Sequence, residues 1–93
     1  MSQIPINLDK VNKEDIDNEI LRLAIIAELD AINLYEQMAS MATNKVVRKV
    51  LLDVAKEEKT HVGELQALLL MSDKQQTEEL EKGRKEIKEL LEK

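Results

Sequence analysis

"KVVRKVLLDVAKEEKTHVGELQALLLM", residues 45–71, decides the fold. Stepping alternately by four and three from Val47 gives Leu51, Val54, Glu58, His61, Leu65 and Leu68. This is the 3.5-residue spacing through which one helix packs along another. Every position on the stripe is apolar except two neighbours, Glu58 and His61.

The same stepping works upstream. From Asp17 it gives Leu21, Ala24, Glu28, Ala31, Tyr35, Met38 and Ala42, so the spacing predicts a helix over residues 13–42. Asn12 is the expected N-cap, with Glu14 and Asp15 in a first turn where the helix dipole favours acids. Glu28 is the one charged residue in the middle of this stripe. The intervening "TN" predicts a short turn with Thr43 or Asn44 capping the second helix, over 44–71. So short a connection makes the two helices antiparallel. Ser72 and Gln75 fit a capping box that opens a third helix over 76–91, with Leu80, Ile87, Leu90 and Leu91 on a thin apolar stripe. Residues 1–12 lack helical periodicity and read as extended or disordered.

Composition agrees with an all-α domain. The chain has 93 residues, 2 Gly, 1 Pro and 1 aromatic residue, Tyr35, which leaves too few turn formers for a β-rich fold. It has no Cys, which excludes thiolate metal sites and thiol catalysis. A formal net charge of −5 disfavours nucleic acid as a partner. No apolar run is long enough for a membrane span, and the first residues lack a signal-peptide pattern, so a cytoplasmic location is expected. A chain this small buries little apolar surface alone, and self-association is the expected remedy.

The carboxylates then need an explanation. With the turn centred near Thr43, Glu28 lies about 15 residues before it and Glu58 about 15 after, at the same height in an antiparallel hairpin. Two carboxylates facing a packed seam cost several kcal/mol unless something neutralises them. A divalent cation does so, and carboxylate oxygens with an imidazole nitrogen suit iron, manganese or zinc. Three ligands leave one ion under-coordinated, whereas a two-fold pair of chains supplies four Glu and two His. Ferritin-like di-iron bundles use that set: a Glu from each of two helices and Glu-x-x-His from each of the other two. The plain alternatives are a partly buried His61 bonded to Glu58 or a carbonyl, and a Tyr35 that is only a core residue with its hydroxyl at the edge. Glu-x-x-His by itself is a common spacing on charged helices.

"AELDAINLYEQM" followed by "LLDVAKEEKTHVGEL" resembles the encapsulated ferritins, the ferritin-like proteins associated with encapsulin nanocompartments, over about residues 14–71. The pattern is a Glu, a Tyr seven residues later, and Glu-x-x-His beginning thirty residues after the first Glu. The likeness is strongest to archaeal forms, in which such a domain can precede the shell protein in a fusion. The resemblance implies a two-helix hairpin with a short third helix, paired into a four-helix bundle and then into an annular decamer. It implies a di-iron ferroxidase centre between two subunits with Glu28, Glu58 and His61 of each as ligands, where zinc, manganese or calcium can substitute for iron. Tyr35 matches the tyrosine near that centre.

It further implies an encapsulin shell as partner and compartment, with iron stored or detoxified there. Bacterial members carry an acidic metal entrance whose positions here are Ala27, Asp30 and Leu34, so Asp30 alone keeps an acid. No apolar cargo-targeting tail is visible in "GRKEIKELLEK". Two rival functions are a rubrerythrin-type di-iron peroxidase, which lacks cysteines for a rubredoxin iron here, and a metal-free helical oligomerisation or cargo module.

Overall fold

The computed structural model describes Asn12 and residues 15–93. The extended segment expected over 1–12 lies outside the described residues except for Asn12, and so does Glu14. Among the described residues the fold is three helices and no strand: α1 (Ile16–Met41), α2 (Lys45–Ser72) and α3 (Lys74–Leu91). The first two form an antiparallel hairpin, and the third leaves its open end.

The start of α1 falls later than the Asn12 cap predicts. The Asn12 carbonyl accepts from the Asp15 N–H at 2.9 Å, and the helix itself begins at Ile16. Asp15 is the N-cap residue but makes no side-chain cap hydrogen bond. Asp17 and Glu19 place negative charge in the first turn, where the unpaired N–H groups face.

The hairpin turn is set by two side chains. Asn44 Oδ1 accepts from the N–H groups of Val46 at 2.9 Å and Val47 at 3.0 Å. This settles the choice between Thr43 and Asn44 in favour of the residue whose carbonyl oxygen reaches two orphan donors. Arg48, on the first turn of α2, closes the other side. It donates to the carbonyls of Ala39 at 3.3 Å and Ala42 at 2.6 Å. The last turn of α1 has no basic residue of its own, so Arg48 supplies the cation that its carbonyl end favours.

The junction of α2 and α3 differs from the capping box read in the sequence. Ser72 remains helical in α2, and its hydroxyl bonds Asn18 of α1. Asp73 breaks the helix instead, and its Oδ1 accepts from the Gln76 N–H at 3.0 Å. Arg22 fixes this cap from α1, donating to Asp73 Oδ2 at 3.1 Å and to Glu19 at 3.0 Å. An ionised acceptor held by a guanidinium outcompetes the serine hydroxyl.

The core lies along the α1–α2 line. Its buried side chains are Ile32, Ala39, Ala55 and Leu69. Ala39 and Ala55 are 1% and 2% exposed, so small residues bring the helices together both beside the turn and about three turns along α2. At about 100° per residue, Glu28 and Tyr35 stand about 40° and 60° to one side of the Ile32–Ala39 line. Glu58 and His61 stand about 60° and 120° from Ala55, on the same side of the hairpin. The stripes read in the sequence therefore run along one flank of the hairpin interface and not along its centre. Val47 and Leu68 are exposed on that flank. Nothing in α3 is buried.

Candidate metal centre

Glu28 comes from the middle of α1, and Glu58 and His61 from consecutive turns of α2. The hairpin brings all three together: one ligand atom from each lies within 4.8 Å of the others. His61 Nδ1 is 3.5 Å from Glu28 Oε2 and 3.5 Å from Glu58 Oε2. That separation is too long for a good hydrogen bond. It is close to the spacing of adjacent donor atoms around a first-row dication with bonds of about 2.1 Å.

The carboxylates are drawn inward and the imidazole lies at the rim. The side chains of Glu28, Glu58 and His61 are 26%, 18% and 49% exposed. Among the described residues, neither carboxylate pairs with a lysine or arginine. Glu28 Oε2 is buried and has no hydrogen-bond partner. A buried acceptor left unsatisfied costs about 1–3 kcal/mol, and more when charged. A dication between them would offer both carboxylates the cationic partner that the described residues do not supply. The donor set thus fits a divalent transition metal: hard oxygens for iron or manganese, with a nitrogen that iron and zinc accept.

The other residues singled out in the sequence sit apart from this trio. Tyr35 is half-buried on the same flank of α1, two turns and about 10 Å of helix rise beyond Glu28. It is not among the residues that the hairpin groups as possible ligands. Asp30 follows Glu28 by two residues, about 200° around α1, so it faces away from the trio. Ala27 and Leu34 are exposed.

One residue was missed. A cavity of about 180 Å³ opens beside the trio, lined by Glu28, His61, Glu64 and Leu65. The signal for Glu64 is its spacing: three residues after His61 it lies one turn along the same helix surface.

A helical hairpin whose flank carries one Glu on the first helix and Glu-x-x-His on the second has the pattern of a ferritin-like protein, with these residues as a candidate carboxylate–histidine metal site. Known proteins bear on this in three ways. The family model for rubrerythrin matches residues 19–93. The ferritin-like–encapsulin shell fusion protein of Pyrococcus furiosus is 62% identical over 85 residues, covering 91% of this chain and 25% of the relative. The crystal structure of the encapsulated ferritin domain from Pyrococcus furiosus superposes with a TM-score of 0.82 at 60% identity, covering 97% of this chain and 94% of that one. The chain belongs to the encapsulated ferritins, within the rubrerythrin family of ferritin-like proteins. It spans about a quarter of the length of the curated relative it matches.

Proposed function

We propose that the chain is a ferroxidase, oxidising Fe(II) to Fe(III) at a di-iron centre formed between two copies of the hairpin. The observation that carries this reading is the buried Glu28 Oε2 without a partner, 3.5 Å from His61 and beside a second carboxylate. A cation is the missing partner. Iron is the substrate, and dioxygen or peroxide accepts its electrons. Glu58 bridges or chelates, Glu28 adds a second carboxylate, and His61 is the terminal nitrogen donor. Anionic oxygen donors stabilise the higher charge of Fe(III) more than that of Fe(II), which favours loss of the electron.

Pairing of two chains is supported by what flanks the site. Ile20, Val47, Val50 and Leu68 are exposed apolar side chains, and at about 100° per residue they fall on the same side of the hairpin as the trio. A second copy packed there would cover them and would complete a four-helix bundle with four Glu and two His. Three donor atoms per chain fall short of the four to six that a first-row dication takes. Dimers of this kind then assemble into a ring, with a decamer expected from the resemblance. The Pyrococcus relative is described as a fusion with an encapsulin shell, which supports an encapsulin compartment as this domain's surroundings too. No described helix is long and apolar enough to cross a membrane.

The match to the rubrerythrin model also keeps a di-iron peroxidase in view. The chain has no Cys to hold a rubredoxin-type iron. Peroxide consumption faster than iron turnover would favour that second activity. Iron content and Fe(II) oxidation rate test the main reading together. It expects one two-iron centre per two chains, lost in His61→Ala and Glu28→Ala. Variants that bind and oxidise iron like the parent would show the assignment to be wrong.

A further inference from the structure

We infer that Glu64 is the capture residue for the cation: it receives a divalent ion at the mouth of the cavity and passes it to Glu28 and His61. The inference rests on the metal centre proposed above and adds a route into it.

Four observations support the route. Glu64 lines the cavity of about 180 Å³ together with Glu28 and His61. It is exposed in the single chain, one helical turn beyond His61. Among the described residues it pairs with no lysine or arginine, so no bound side chain must first be displaced. Glu28, whose Oε2 is buried without a hydrogen-bond partner, lines the same cavity. A hydrated dication sheds its water stepwise, and a carboxylate at the mouth offers the first replacement oxygen. Leu65 forms an apolar wall beside it, and low-dielectric walls focus the field of the acids on the ion.

The same helix supplies an internal control. Glu57 precedes His61 by four residues, so it is equally a neighbour on the helix surface. It is also exposed, yet it is not among the residues lining the cavity. If bulk negative charge alone drew the ion in, Glu57 and Glu64 would count alike.

The test is stopped-flow absorbance of Co(II) binding to the full chain at low ionic strength, comparing the parent, Glu64→Gln and Glu57→Gln. Glu64→Gln is expected to slow capture at least about threefold, with the difference shrinking as salt screens the field. Its saturating end-point, and the melting-temperature rise given by saturating Co(II), are expected to match the parent. Glu57→Gln is expected to keep the parent rate. A parent-like rate for Glu64→Gln overturns the inference. So does an equal slowing by Glu57→Gln, or a reduced end-point for Glu64→Gln, which would make Glu64 a ligand and not a capture residue. Glu28→Ala is run alongside. If it keeps the full end-point, the centre itself is misassigned, a failure read in the end-point and distinct from one read in the rate.

Discussion

Glu28→Gln should raise the stability of the metal-free protein and lower that of the metal-loaded one. Without metal, Glu28 Oε2 is a buried acceptor with no hydrogen bond, beside a second carboxylate that approaches the same imidazole nitrogen at 3.5 Å. Gln has the same shape and no charge, and its amide can meet Glu58 or His61 as donor or acceptor. The unsatisfied acceptor costs about 1–3 kcal/mol. The Glu28 side chain is 26% exposed, which brings the expected gain towards the low end, about 1 kcal/mol. For a domain of this size that is a rise in Tm of about 4–8 °C.

With metal the sign reverses. An ion present at about a hundred times its Kd stabilises the parent by about 2.7 kcal/mol, or roughly 10–20 °C, and Glu28→Gln forfeits most of it. The assay is thermal unfolding by circular dichroism at one fixed protein concentration, in chelator and in excess Mn(II). The two melting curves should exchange order between the two buffers. A Glu28→Gln protein that melts below the parent in chelator, and gains as much as the parent from Mn(II), would refute the assignment of Glu28 as an unsatisfied metal ligand.

Other perturbations address the fold and its ends. Asn44→Ala removes the acceptor for two N–H groups at the start of α2 and should cost about 1 kcal/mol, read as a lowered Tm with the metal-induced shift retained. Asp73→Ala removes both the α3 cap and the partner of Arg22, for a loss of about 1–2 kcal/mol. A double-mutant cycle with Arg22→Ala should show the two losses to be less than additive, and strict additivity would contradict the bridge. On α3, the Arg84 hydrogen bond holds Glu81 below the ordinary carboxylate value. A depressed carboxylate contributes its stability at neutral pH and loses it as the pH falls through its folded-state value, below 4.5. Glu81→Gln should therefore weaken the acid-induced loss of α3 helicity in that range, followed by circular dichroism in a pH titration.

The sequence carried the hairpin and the trio because each leaves a mark within a short window. A two-residue polar break between two apolar stripes is a turn, and Glu28, Glu58 and His61 are visible as the polar interruptions of those stripes. Other features depend on contacts distant in sequence. Ser72 and Asp73 are both good cap residues, and what selects Asp73 is Arg22, 51 residues away. The stripe through Val47 and Leu68 has the same spacing as one facing the intrachain core, yet the buried line runs through Ala55 and Leu69. Apolar spacing reports that a face needs covering but not whether the same chain covers it. Glu64 was hidden for a different reason. On helices this rich in acids, an exposed glutamate one turn from a histidine is unremarked until a cavity is seen to join them.

The central claim is that Glu28, Glu58 and His61 of two chains hold iron between them. Anomalous diffraction at the iron absorption edge, from crystals loaded with Fe(II) and exposed to air, tests it most directly. Two iron peaks per pair of chains are expected beside a two-fold axis, each within coordinating distance of Glu58, with Glu28 and His61 completing the set. Iron found only at other residues, or bound at this trio within a single chain far from any two-fold axis, would contradict the account.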